Sequence, residues 1–294
     1  MTIHDDPAAA LSWDGSDVPA LLSVDPLGDD RFTGRHNQLN YYRSLFGGQV
    51  LGQSLAAACA TVDGRPLHSM HGYFLRPGAG TRPIEYQVER TRDGRSFSTR
   101  RVTGSQGPET IFHMECSFHA AEPGWDHQIA MPDVPPPDAL EDLRAHARTL
   151  GPELVERLGA RLGDGMEVRP VRIAEVLEQQ LHSRRLIWFR APSAQGRDDP
   201  ALHCAVLAWM SDFWISAAAA IRHATPLPDP KIQLASIDHA MWFHRPADSG
   251  DWLLFDSDSP SASGGTGLSR ALIYDRAGRL VATAAQESLQ RQLD

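Results

Sequence analysis

The sequence predicts an α+β fold built twice over. Residues 73–78 read Tyr-Phe-Leu-Arg-Pro-Gly, and residues 242–247 read Trp-Phe-His-Arg-Pro-Ala. A helix-like, alanine-rich run precedes each block, and alternating strand-like segments with a glycine turn follow it. A single repeat of this size is too long for a solenoid unit and implies two similar folded halves. One long helix with several antiparallel strands is an α+β plan, not a doubly wound one.

Residues 1–20 are polar with small residues and are expected to fray. The first half is expected over residues 21–121. Its helix is entered through Gly47-Gly48 and covers residues 48–62, GQVLGQSLAAACATV. Residues 67–77 form a strand, and Ile84, Tyr86 and Val88 alternate on the next. Asp93-Gly94 marks a hairpin turn. Residues 96–103 return, Gln106-Gly107 turns again, and Phe112, Met114, Cys116 and Phe118 alternate on the last strand. A connector over 122–160 is rich in proline (Pro132, Pro135, Pro136, Pro137), and Asp138 is placed to cap a helix starting near Ala139.

The second half is expected over residues 161–294. Strand-like runs cover 167–173 and 186–190, and the second long helix covers 202–222. Residues 232–246 form a strand, followed by 252–255, 267–275 and 279–290, with the last turn at Asp275 to Gly278. Alanines crowd both helices, at Ala56, Ala57, Ala58 and Ala60 and again from Ala217 to Ala220. They favour helix and let a wrapping sheet approach closely. Ser216 follows Ser54 by 162 positions, Pro246 follows Pro77 by 169, and Gly278 follows Gly107 by 171. The first step places an insertion of about seven residues within 224–233, where duplicated folds tolerate it.

A net charge of −9 argues against nucleic acid as the main partner. No apolar run approaches the ~20 residues of a membrane span. The N-terminal residues lack the order of a signal peptide, and the C-terminal Gln-Leu-Asp is not a peroxisomal address. Cys59, Cys116 and Cys204 are an odd, scattered set, read as buried thiols of a reducing compartment. A cytoplasmic location is expected.

The blocks LFGGQVLGQSLAAA (45–58), LHSMHGYFLRPG (67–78), RTRDGRSFSTRRV (90–102) and SIDHAMWFHRP (236–246) resemble the bacterial acyl-CoA thioesterase II family. So do WDHQIAMP (125–132), LAWMSDFW (207–214) and GRLVATAAQES (278–288), and the resemblance covers most of residues 25–292. It implies a tandem (double) hotdog, two curved antiparallel sheets each around a long helix. It implies hydrolysis of medium- to long-chain acyl-CoA to fatty acid and CoA, with no cofactor and no covalent serine intermediate. In the family an Asp, a Thr or Ser, and a Gln hold a water; the matching residues are Asp212, Ser236 and Gln286. A homodimer or higher homo-oligomer is expected, as is common for this fold.

The residue chemistry is consistent with that assignment. Asp212 lies among Met210, Phe213, Trp214 and Ile215. Partial desolvation raises a carboxyl pKa toward useful basicity. Ser236 and Gln286 can each donate to or accept from a water. In the register of the repeat these three fall opposite Val50, Leu67 and Glu115, which predicts one site per chain, in the second half. The Gly47 and Gly48 amides, or an amide of the second helix, are candidates to polarise the carbonyl. Arg90, Arg92 and Arg95, with Arg100 and Arg101, surround the Asp93-Gly94 hairpin and are either CoA-phosphate ligands or a solvated strand face. Arg76 and Arg245, kept in both halves, are expected to brace the fold.

The residues offer two other chemistries. Gly52-Gln53-Ser54-Leu55-Ala56 approaches a serine-hydrolase elbow, but Ser54 falls inside a predicted helix. His68-x-x-His71 and Asp238-His239 lack clear metal-ligand spacing, so no metal is expected. A non-catalytic acyl-CoA-binding protein is the alternative from another class. Thr266 and Ala271 within 259–272, and Glu287-Ser288-Leu289, depart from the family pattern, so the resemblance does not fix the ligand-facing loop expected near 260–270 or the acyl preference. Ser236 stands where threonine is more frequent, which keeps the hydroxyl and frees its rotamer.

Overall fold

A computed structural model describes residues 11–155, 158, 164–225 and 231–293. In the first half β1 (Val24–Gly28), β2 (Arg31–Gly34), β3 (Leu67–Phe74), β4 (Glu85–Asp93), β5 (Phe97–Gln106) and β6 (Glu109–His119) pair in the order β1-β2-β4-β5-β6-β3. In the second half the strands are β7 (Glu167–Pro170), β8 (Arg185–Arg190), β9 (Ile232–Ser236), β10 (Asp238–Phe243), β11 (Leu253–Ser263), β12 (Thr266–Asp275) and β13 (Leu280–Gln292). They continue the same sheet as β10-β13-β12-β11-β8-β7, and β9 pairs with β13. Counted outward from the β3–β10 join, the two halves add equivalent strands in the same order.

The join explains the repeated block. β3 and β10 run antiparallel with His71 opposite Ala240, and these two residues are 169 positions apart, the spacing of Pro77 and Pro246. The repeat therefore writes the two central strands, related by an approximate two-fold axis at that pair. Its arginines have equivalent bonds: Arg76 Nη1 donates to the Thr110 carbonyl at 2.8 Å, and Arg245 Nη1 to the Leu280 carbonyl at 2.9 Å. Arg245 also pairs with Asp126 in the connector.

The register needs one correction. His71 pairs with Glu115, and Ala240 pairs with Ala285. The counterpart of Gln286 is thus Cys116, not Glu115. The slip arises at the last turn, where 275–279 is one residue longer than 106–109 between equivalent pairs. A slip of one residue moves a side chain to the other face of a strand. Glu115 faces solvent and pairs with Arg101 at 2.6 Å, while Cys116 and Gln286 are buried.

The described helices are α1 (Val18–Leu22), α2 (Gly47–Cys59), α3 (Leu143–Leu150), α4 (Ala174–Leu177), α5 (Pro200–Ser211) and α6 (Ala217–Ala220). Every residue of α2 from Gly48 to Leu55 is buried, so this helix has no solvent stripe. Asp199 caps α5 by accepting from the Ala201 and Leu202 amides, and Pro200 occupies its first turn. The two helices touch through glycines one turn apart. A Cβ on Gly48 would lie 2.5 Å from the Trp209 carbonyl oxygen, and one on Gly52 would lie 3.0 Å from that of Ala205.

Several expectations differ from the structure. The helix expected over 202–222 stops at Ser211, turns, and resumes only as α6. The strand expected over 232–246 breaks at Ile237 into β9 and β10. The loop expected near 260–270 is instead the tip of the β11–β12 hairpin around a turn at Gly264-Gly265. Asp142, not Asp138, caps the connector helix α3, and Asp138 pairs with Arg276. Residues 11–20, expected to fray, are held instead: Val18 is fully buried and Trp13 packs edge-on against Trp209 at 6.1 Å. β1 and β2 had no signal in the pattern. Of the insertion placed within 224–233, residues 226–230 lie outside the described residues. No described helix is long and apolar enough to cross a membrane.

The helix contact gives a stability test. Gly to a larger residue in a helix normally gains propensity. Here Gly52→Val forces α2 away from α5, and overpacking typically costs about 1–3 kcal/mol. The urea midpoint is expected to fall accordingly; an unchanged or higher midpoint would show that the helices are not packed this closely.

Candidate active site

The break after α5 creates the site. Asp212 is the last, C-capping residue of the helix rather than a member of it. Its carboxylate points to the start of α2, where Phe46 supplies no side-chain cap. The Gly48 amide lies near enough to that carboxylate to favour its charged form. A helix N-terminus has unsatisfied N–H groups and partial positive charge, so a carboxylate from elsewhere in the chain suits it. A Cβ on Gly47 would sit 2.7 Å from Asp212 Oδ2; only glycine admits the carboxylate there.

The break at Ile237 brings the next residue in. β9 and β10 both pair with β13, and Ser236 ends β9 opposite Ser288. Gln286 lies two residues along β13 from Ser288, on the same face. Ser236 Oγ donates to Asp212 Oδ1 at 3.2 Å, and Gln286 Nε2 donates to Ser236 Oγ at 2.8 Å. The structure thus brings Asp212, Ser236 and Gln286 into one hydrogen-bonded set. Burial raises the Asp212 pKa above the ordinary carboxylate value; nearby His239 and bonds from Ser236, Gly48 and Gln286 oppose this without cancelling it.

In the sequence His239 stands out only as a poor metal ligand. It is fully buried, its Nδ1 bonds to Gln286 Oε1, and it lies 3.9 Å from Asp212 Oδ1. Burial holds its pKa below the usual histidine value. Its position in the run Ser-Ile-Asp-His, three residues after Ser236, was the available signal.

Asp212 and Ser236 open onto a cavity of about 470 Å³. Leu45, Phe46, Val50, Phe74, Ile111 and Phe112 of the first half form an apolar wall, and Phe213, Leu234 and Ala235 come from the second. Gly47 also lines it. The volume is that of a small-ligand pocket. The hydrogen-bonded polar set comes from one half and most of the wall from the other.

The remaining candidates lie elsewhere. Arg90, Arg92 and Arg95 sit at the β4–β5 hairpin, beside the Leu67 end of β3. The cavity is at the Phe74 end, so about 20 Å of strand separates them. Arg90 is also bound to Asp30 through two nitrogens, at 2.7 and 2.9 Å. They are not brought to the cavity. Ser54 is fully buried inside α2, and its Oγ has no hydrogen-bond partner among the described residues. No histidine among the described residues bonds to it as a base, which argues against the serine-hydrolase alternative. The 259–272 hairpin does not line the cavity either.

Comparison with known proteins converges on one group. A family model described as acyl-CoA thioesterase N-terminal domain matches residues 38–119, and one described as acyl-CoA thioesterase C-terminal domain matches 132–290. The chain is 36% identical to human acyl-coenzyme A thioesterase 8, over 93% of this chain and 88% of that protein. It is 36% identical to acyl-CoA thioesterase 2 of Haemophilus influenzae, over 92% of this chain and 96% of that one. Among solved structures it is similar to the acyl-CoA thioesterase II TesB2 of Mycobacterium marinum, with TM-score 0.76 and 39% identity over 93% and 96% of the two chains. A hot dog fold protein of Alicyclobacillus acidocaldarius has the same TM-score of 0.76 at 20% identity, over 96% and 100% of the chains, a likeness of fold.

The raised pKa of Asp212 has a definite sign in stability. Its folded value exceeds the unfolded ~3.9, so the protonated carboxyl favours the fold at low pH. That contribution is fully present below the unfolded value and is lost as pH rises through the folded one. Asp212→Asn carries no such term. Urea midpoints of wild type and Asp212→Asn, compared from about pH 4 to pH 7, should move in favour of the variant as pH rises. A trend in the opposite direction would show that the carboxylate is stabilised, not penalised, by its site.

Proposed function

The chain belongs to the acyl-CoA thioesterase II family, and from that premise we propose that it hydrolyses medium- to long-chain acyl-CoA through a water activated by Asp212, Ser236 and Gln286. The observation that carries this reading is a buried carboxylate whose Oδ1 accepts from Ser236 while Oδ2 lies against Gly47, at the wall of an apolar cavity. Oδ2 is then the oxygen left to take a proton. On this reading each half is a hotdog, and the shared sheet makes the pair a tandem hotdog.

A thioester carbon is electrophilic, and attack by water needs a base and a donor for the developing oxyanion. In the proposed reaction the acyl chain lies along the wall of Phe74, Ile111 and Phe112. A water held by Asp212 attacks the carbonyl carbon as Asp212 takes its proton. The Gly47 amide, at the positive end of α2, donates to the oxyanion. The tetrahedral intermediate collapses, the carbon–sulfur bond breaks, and the thiolate of CoA leaves. Protonated Asp212 returns its proton to that thiolate. A pKa raised by burial suits both transfers, because the group must accept a proton and then release it. Ser236 and Gln286 keep the carboxylate oriented and share the water's hydrogen bonds.

Release of free CoA from a panel of short- to long-chain acyl-CoA tests the proposal. Turnover should be greatest on medium to long chains, and Asp212→Asn should lower it by about 10²–10⁴-fold, the usual worth of a positioned general base. Ser54→Ala should leave it unchanged. The acid limb of kcat against pH should lie above the ordinary carboxylate value, with activity lost as pH falls through it. Full turnover by Asp212→Asn would refute the water-activating role, and binding of acyl-CoA without release of CoA would refute the hydrolase.

A further inference from the structure

Gln286 can present its amide either way round, and the site works in only one of them. An ionised Asp212 needs donors. With Nε2 toward the site, Gln286 donates to Ser236 Oγ at 2.8 Å and also reaches the Asp212 carboxylate. Flipped, it would set a carbonyl oxygen against a carboxylate and leave the serine proton contested. The far side of the amide is therefore decisive. There Oε1 meets His239 Nδ1, and the contact is a hydrogen bond only if Nδ1 carries the proton. His239 Nε2 must then be an acceptor, and Ser211 Oγ, 3.0 Å away, is the donor. The serine can instead bond the Ala208 carbonyl at 2.8 Å, so a neutral His239 diverts that proton from its own helix.

We infer that His239 is a positioning residue: its Nδ1–H fixes the Gln286 amide with its N–H side toward Asp212 and Ser236, and Ser211 Oγ is placed to donate to the unprotonated Nε2. The inference rests on the proposed water-activating set. His239 is fully buried and does not line the cavity, so it acts through Gln286 and not on substrate. The residue before it works in parallel, because Asp238 Oδ1 accepts from the Glu287 amide at 2.7 Å. The dipeptide thus holds β13 by a side chain and by the backbone at adjacent residues. The groups facing His239 are Asp212, Gln286, Ser211 and, next along the chain, Asp238.

The fold itself does not require a histidine here. At the spacing of 169 that relates the central strands, the first-half counterpart of His239 is Met70, equally buried. The counterpart of Gln286 is Cys116. Where the glutamine is absent, so is the imidazole.

Amide side chains separate the two nitrogens. Asparagine places its N–H near the position of Nδ1, and glutamine places its own near Nε2. In the CoA-release assay His239→Leu should lower kcat by about 10²-fold, the scale of a misplaced catalytic group, with KM little changed. His239→Asn should recover most of the loss, and His239→Gln should not. Wild-type kcat in His239→Leu, or a kcat in His239→Gln equal to or above that of His239→Asn, would overturn the inference. If His239→Leu does not fold, the Asn and Gln pair still decides. Asp212→Asn runs beside them. If it is inactive while the Asn and Gln variants match, only the positioning role fails. If it is active, the water-activating set fails and takes this inference with it.

Discussion

The carboxylate of Asp212 at the head of α2 is the contact on which the site depends. It lies between the two halves: the acid comes from the end of α5 and the Gly48 amide beside it from the start of α2. Neither partner is complete alone. α2 begins at two glycines with no side-chain cap of its own, and a buried carboxylate without donors would be costly. Their meeting places the acid against the positive end of α2 where the cavity opens. The close approach of the helices at Gly48 and Gly52 makes the meeting possible.

The chain breaks where the site needs it to. α5 stops at Ser211, and Asp212 caps it at the cavity wall. β9 ends at Ser236, one residue before the irregular Ile237. Gln286 alone lies within an uninterrupted element, and its side chain needs an external partner to choose an orientation. Regular structure supplies the frame, and irregularity at two points turns side chains into it.

The α+β plan and the duplication were legible because they are written as spacing: a repeated block, alternating strands and glycine turns. The catalytic candidates were legible only through resemblance, since a lone Asp212, Ser236 or Gln286 carries no local signal. What spacing could not give was anything decided by a partner distant in sequence. The break in α5 runs through Asp-Phe-Trp-Ile, which has neither glycine nor proline to announce it. The slip that set Gln286 against Glu115 came from one extra residue in a turn, which side-chain alternation alone would have detected. The Arg90, Arg92 and Arg95 cluster read as a phosphate site because charge is visible in a sequence and distance is not.

The divergence of the halves then has a physical form. Equivalent positions around the central strands hold Leu67, Met70 and Cys116 in the first half and Ser236, His239 and Gln286 in the second. Most of both sets are buried, so the difference is chemical rather than topological. An apolar set stabilises without specifying partners, whereas a buried polar set is tolerable only when every group finds one. The second half meets that demand with an unbroken run of bonds from Ser211 through His239, Gln286 and Ser236 to Asp212. Duplication made this affordable to the fold: the first half retains the apolar packing and lends its helix terminus and its cavity wall. A site assembled in this way would be lost if either half were taken alone, although all three members of the proposed water-activating set lie in one of them.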